Sequence, residues 1–389
     1  MNINLINPSP SVALADHARR LKASGIPIIE LQTGDPDFHT PTVIVNAANS
    51  ALREGKTHYI ESGGLPQLRQ CLAESLNREF GTSLQSENIL VTHGATQGLA
   101  AIISALVELD DEVIVLEPNW ITLDSLITLN GGRVVKVTHV SDDEQLLACL
   151  DSVKTSRTTM LCFNSPNNPT GSVFRAERVA RLVDWAECHG LYIVSDEVYR
   201  AFTYDVPHAS VMKHLPVNDR LLFVDSFSKR YAMTGWRVGF VVGHQDLISR
   251  VSKASQVMIT NVAPFVQYGA LAALQSQDVA DVVQEMKREY KERRDTLSMV
   301  CNLEGLRAGC PEGAFYLFLN VGGDDTVFAR QLLNDSQICV VPGSVYGPSG
   351  VGHLRLSFAS SLRSVLKGLQ KIGEMQRSRD RSKNYWDGT

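Results

Sequence analysis

The chain has 389 residues, 37 Lys and Arg against 42 Asp and Glu, and therefore a formal net charge of −5, with 44% hydrophobic and 20% charged residues. That length is too great for one simple core and fits two or three lobes. The mildly acidic balance gives no basis for nucleic acid or an anionic membrane as a partner, and no apolar run approaches the roughly 18 residues that span a bilayer.

In chain order, MNINLINPSPSVALADHARR lacks a basic start and an unbroken apolar core, so no signal peptide is read. The first forty or so residues are Pro-rich, end in QTGDPDFHTP, and are expected to join a smaller lobe or cross between lobes. Short β-branched runs then predict strands at Asn88–Thr92, Glu112–Leu116, Arg133–Val137, Thr159–Phe163, Leu191–Ser195, Leu221–Val224 and Val238–Val242. Helical patterns are expected at Thr96–Glu108, Ala176–Cys188 and Val279–Val300. Strands alternating with helices imply an α/β fold with a mostly parallel sheet flanked by helices. Past about residue 285 the alternation weakens, and GAFYLFLNV and GHLRLSFA are expected to form a second, smaller α+β domain. The resulting division is a segment 1–45 packing with the small domain, a large domain 46–285, and a small domain 286–389. The polar tail, from about residue 376, is expected to be solvated and partly disordered.

The seven cysteines form no C-x-x-C pair and read as free thiols in a reducing cytoplasm. The ten histidines show no ligand spacing, so no metal is expected.

In a parallel sheet the ligand lies outside the carboxyl ends of the strands. Five predicted strands end in chemistry-bearing groups: HGAT, EPNW, NSPNNPTG, DEVY and DSFSK. Ser226, Ser228 and Arg237 supply two hydroxyls and a guanidinium suited to a phosphate dianion. Gly94, Ala95 and Thr96 open a helix whose free N–H groups favour the same anion. A phosphate beside Lys229 points to pyridoxal phosphate, held as a lysine Schiff base. That cofactor needs a carboxylate beside its ring nitrogen, and Asp196 can supply it. A unit charge at about 4 Å, at an effective dielectric of about 20, is worth roughly 4 kcal/mol. Asn168 and Tyr199 are available to the phenolic oxygen, and Trp120 can stack on the ring. Arg355, inside an apolar run, is the candidate for a substrate carboxylate, with a structural ion pair as its bland alternative.

These residues, with TGDPDF (Thr33–Phe38), THYIESGGLPQLR (Thr57–Arg69), VIVLEPNW, SFSKRYAMTGWRVGF, PEGAFYLF, VVPGSVYG and HLRLSFA, resemble the class I and II aminotransferases over almost the whole chain. The resemblance is to pyridoxal-phosphate enzymes of fold type I, in the bacterial aspartate-aminotransferase-like subgroup. It implies a seven-stranded sheet, Lys229 as Schiff-base lysine, Asp196 at the pyridinium, and Tyr199 and Asn168 at the phenolic oxygen. It places Ser226, Ser228, Arg237 and Gly94–Thr96 at the phosphate, Trp120 over the ring, Gly34 near the substrate and Arg355 at its carboxylate. Tyr59 is implied to reach the other subunit's site in a homodimer. The implied reaction moves the α-amino group of an L-amino acid to a 2-oxo acid through a Lys229 aldimine and pyridoxamine phosphate. A lyase, cyclase or oxidase of the same fold, acting on a hydroxylated or basic amino acid, is the alternative. Aspartate-selective relatives carry a lysine where this chain has Thr96, which counts against a dicarboxylate-only pocket. Glu61 either faces a cationic side chain or is a solvated loop residue, and Val262 makes its loop more apolar than the family pattern.

Overall fold

Thirteen strands follow one another in a computed structural model that describes residues 10–215 and 218–386. They are β1 (Ile29–Glu30), β2 (Ile89–Thr92), β3 (Glu112–Glu117), β4 (Arg133–Thr138), β5 (Thr158–Asn164), β6 (Tyr192–Asp196), β7 (Leu221–Ser226), β8 (Gly239–Gly243), β9 (Arg307–Ala308), β10 (Tyr316–Asn320), β11 (Ile338–Cys339), β12 (Val341–Pro342) and β13 (His353–Ser357). Strands β2 to β8 form a seven-stranded sheet in the order β2-β8-β7-β6-β5-β3-β4. Within it β8 runs antiparallel to both of its neighbours, and all other pairs are parallel. Each of the seven strands expected from sequence is present to within two residues at either end.

Alternation along these strands sends successive side chains to opposite faces. Ile114, Leu161, Ile193, Leu221 and Phe223 enter one core, which the helices Pro66–Phe80, Ala176–Cys188 and Pro264–Gln275 cover. Val113, Met160, Val194, Leu222 and Val224 enter another, covered by Gly94–Leu106 and Gln245–Ile259. Burial on both faces explains why the strands read as near-continuous apolar runs.

A third core gathers Leu31, Leu317, Leu319, Ile338, Leu354 and Leu356 with Tyr290 and Leu297 of the long helix Gln277–Leu303. Here β9, β10, β12 and β13 form a four-stranded sheet in the order β12-β13-β10-β9. The N-terminal segment joins this region, because β1 pairs in parallel with β11. Arg293 strengthens that tie, donating to both Asp37 oxygens at 2.8 and 2.9 Å and to the carbonyl of Ser360 at 2.9 Å.

The last helix runs from Leu362 to Trp386, and residues 387–389 of the expected polar tail lie outside the described residues. No helix among the described residues is long and apolar enough to cross a membrane, and none of their His, Cys, Asp and Glu side chains group as a metal site.

Candidate active site

The carboxyl ends of β2, β3, β5, β6 and β7 open into one cavity of about 250 Å³. Ala95, Thr96, Trp120, Asn168, Asp196, Tyr199, Ser226, Ser228, Lys229 and Arg237 line it. Gly34 from the N-terminal segment and Tyr316 and Arg355 from the second sheet complete the wall. Parallel strands deliver these groups to one edge. Strand β8, running the other way, starts at that edge and brings Arg237 with it.

Lys229 sits in a one-turn helix, Phe227–Arg230, whose first N–H groups are steadied by Ser226: the Ser226 hydroxyl accepts from the Ser228 N–H at 3.2 Å. The Lys229 Nζ donates to the Gly34 carbonyl at 2.7 Å. Burial pushes its ammonium down to about 8, with Asp35 and Asp196 opposing this and Arg355 and Arg237 reinforcing it. An amine so placed is partly neutral near physiological pH, as a base or nucleophile requires.

At the end of β6 the Asp196 carboxylate accepts one hydrogen bond, from the Val198 N–H at 3.2 Å. Burial raises its carboxyl to about 7, helped by the nearby charges of Asp225 and Glu197. A carboxylate this poorly satisfied is incomplete without a cationic partner.

Arg237 adopts the left-handed region, with φ 54° and ψ 57°, a conformation that a side chain bearing a Cβ enters at a cost. Its guanidinium lies so close to Gly94 that a Cβ there would stand 2.6 Å from Arg237 Nη2. The helix Gly94–Leu106 begins at this point with no side-chain cap, leaving its first N–H groups for a ligand. Gly94 itself does not line the cavity and serves by letting Arg237 approach.

Arg355 is buried in β13. It donates through Nη1 to Asn168 Oδ1 at 3.1 Å and through Nη2 to the Gln32 carbonyl, while Nε has no partner. Its guanidinium lies 4.5 Å from the Tyr316 ring centroid and 5.4 Å from that of Tyr346. No carboxylate of the described residues pairs with it, so the bland reading as a structural ion pair is not what is seen.

Sequence reasoning missed Tyr316. Its hydroxyl is 2.7 Å from that of Tyr199, and the rings meet edge to face at 5.5 Å. A Cβ at Gly34 would collide with that hydroxyl, which explains the glycine. The available signal was a tyrosine within PEGAFYLF, whose buried hydroxyl must find a partner.

Tyr59 does not reach the cavity of its own chain and stands 86% exposed. Glu61 is also outside it, lying 3.6 Å from Arg69 on a mostly exposed loop. Val262 is a core residue.

A two-sided α/β sheet with a lysine and a buried carboxylate at its carboxyl edge, faced by an arginine of the second sheet that no carboxylate pairs, is the frame of a fold-type-I enzyme of amino-acid chemistry. The chain matches the family Aminotransferase class I and II over residues 26–372. It is 36% identical to the aspartate/prephenate aminotransferase of Thermus thermophilus, covering 96% of this chain and 97% of that one. With the aspartate aminotransferase of Pyrococcus horikoshii it shares 35% identity over 89% of this chain and 90% of that one. The solved Thermus thermophilus aspartate aminotransferase with maleate superposes with a TM-score of 0.90 at 34% identity, covering 96% of this chain and 98% of that one. This chain belongs to the class I and II aminotransferases, and it is an enzyme of transamination. The lyase, cyclase or oxidase alternative gives way to that finding.

Proposed function

We propose that the cavity binds pyridoxal 5'-phosphate and moves the amino group of a monocarboxylic L-amino acid to a 2-oxo acid. The observation that carries the reading is the meeting, in one cavity, of a Lys229 amine held near 8, a cation-seeking Asp196 and an Arg355 with no counter-ion. The fit is specific. Ser226, Ser228, Arg237 and the N–H groups of Ala95 and Thr96 would hold the phosphate. Asp196 would face the ring nitrogen, Tyr199 and Asn168 the phenolic oxygen, and Trp120 a ring face.

When bound, the cofactor supplies an electrophilic carbonyl carbon for the amino group and an electron sink for the electrons released at Cα. Lys229 is the amine placed to carry it. With its amine free, Nζ would be the base for the donor's Cα proton and would later give that proton back as acid. Arg355, with Gly34 alongside, fixes the donor's carboxylate so that Cα lies within reach of Nζ.

The cations lining the cavity are Lys229, Arg237 and Arg355, and each has a use. Thr96 lines the wall without charge, and Thr57–Gly64, the loop around the exposed Tyr59, contains no lysine or arginine. A second carboxylate on the donor would be desolvated without a partner, which supports uncharged side chains over aspartate. We further propose a homodimer in which Tyr59 serves the other subunit, supported by that exposed aromatic ring. The same reading keeps a small lobe built from 1–45 and 286–389 around a large lobe 46–285, and a cytoplasmic setting, for which the free thiols speak.

The test is a panel of amino donors and oxo acids with wild type and Lys229→Ala. The variant is expected to keep the cofactor and lose turnover by about 10³-fold or more. Aspartate is expected to fall at least about tenfold below apolar donors in kcat/KM. Near wild-type turnover by Lys229→Ala would remove the assignment, and a preference for aspartate would remove the donor class.

A further inference from the structure

The hydrogen bond between Tyr199 and Tyr316 joins two buried hydroxyls, one from the turn after β6 and one from β10, at the wall of the cavity. Each hydroxyl owns one proton. If the Tyr199 proton points at a ligand oxygen, as the proposed function has it, only the Tyr316 proton remains to make the 2.7 Å contact. Tyr199 then accepts from Tyr316 while donating to the ligand, and a hydroxyl that accepts is a stronger donor. The Arg355 guanidinium, over the Tyr316 ring at 4.5 Å, draws electron density from that ring and makes its O–H the better donor of the two.

We propose that Tyr316 is a positioning residue that fixes the direction of the Tyr199 hydroxyl and strengthens its hydrogen bond to the cofactor's phenolic oxygen. The inference rests on the reading that pyridoxal phosphate occupies this cavity. The packing favours it over a merely structural tyrosine. The Tyr316 hydroxyl is pressed against Gly34, whose carbonyl takes the Lys229 ammonium, so the ring has little freedom to turn away. The charged and titratable groups facing the pair are Asp196 at the end of β6, Asp35 from the N-terminal segment, Arg355 from β13 and Tyr346 after β12. Burial raises both phenols, so each stays protonated and able to donate through the neutral range.

A donor at the phenolic oxygen favours the form of the bound ring with more negative charge there, so it holds the titration midpoint of the bound chromophore down. The experiment is a pH titration of the visible absorbance of the chain loaded with pyridoxal phosphate. Wild type, Tyr316→Phe, Tyr199→Phe and the double variant are compared. Tyr316→Phe keeps the ring, the edge-to-face contact and the face under Arg355, and removes only the hydroxyl. Its midpoint is expected to rise by about half a pH unit, a roughly threefold change in the proton equilibrium. In the Tyr199→Phe background the same substitution is expected to move the midpoint by less than about a third of that, because the relay is already cut. An unchanged midpoint in Tyr316→Phe overturns the proposal, and so does an equal shift in both backgrounds. A wild-type chain with no pH-dependent visible band, or one whose borohydride-fixed label lies elsewhere than Lys229, overturns the reading of the site and this proposal with it.

Discussion

Asp196 shows how a residue can be placed against its own interest. Its carboxyl is raised from 3.8 to about 7, so the folded chain without cofactor keeps a proton that the unfolded chain releases between about pH 4 and pH 7. Stability falls as pH rises through that window, and above it the penalty is on the order of 4 kcal/mol. Asp196→Asn is therefore expected to raise the Tm of the cofactor-free chain near pH 8, to match wild type near pH 4, and to abolish transamination. Thermal denaturation at the two pH values checks it, and a variant less stable than wild type at pH 8 would refute the account. Lys229 carries the same signature with the opposite charge, since its ammonium is also held where burial disfavours it. Strain of this kind collects at functional sites, where a ligand relieves it.

At the level of elements, most of the framework was readable because the inner strands of the large sheet are apolar on both faces and five of the seven strands end in a polar cluster. Asp196, Ser226 and Lys229 were legible for that reason: a charge just beyond a buried strand is costly unless a ligand or a counter-charge meets it. The reversal of β8 was readable only indirectly. The 12 residues between β7 and β8 hold only two short helical turns, Phe227–Arg230 and Thr234–Trp236, and no helix long enough for the crossover that a parallel neighbour requires. Tyr316 was not legible, since its role depends on a contact across 117 positions of sequence. The last helix, Leu362–Trp386, is held by Val365, Leu369 and Ile372, which enter the core of the four-stranded sheet. Arg293 is the element-scale counterpart, one guanidinium joining the long helix, the N-terminal segment and the chain after β13. Arg293→Ala is expected to cost about 3 kcal/mol in chemical denaturation, because Asp37 and two carbonyls lose their donor together. A loss below about 1 kcal/mol would show that the tie is dispensable.

For the whole molecule, the proposed homodimer makes a complementation test possible. A Lys229→Ala chain keeps Tyr59, and a Tyr59→Ala chain keeps Lys229. Unfolded together in equal amounts and refolded, half of the random dimers are mixed, and each mixed dimer has one site with both groups. About a quarter of wild-type activity is then expected from two nearly inactive parents. Recovery no greater than the parents' sum would place Tyr59 outside the partner's site. The reversed strand β8 has a consequence of another kind. Because β7 and β8 are antiparallel neighbours, with Ser226 facing Gly239, the connection between them carries Lys229 and Arg237 on a single short loop. The groups proposed to retain the cofactor thus belong to one sheet, while Arg355, which meets the incoming carboxylate, belongs to the other. A two-stroke enzyme must surrender one acid and admit another without losing its tool. In this chain, what is kept and what is exchanged are assigned to separate pieces of architecture.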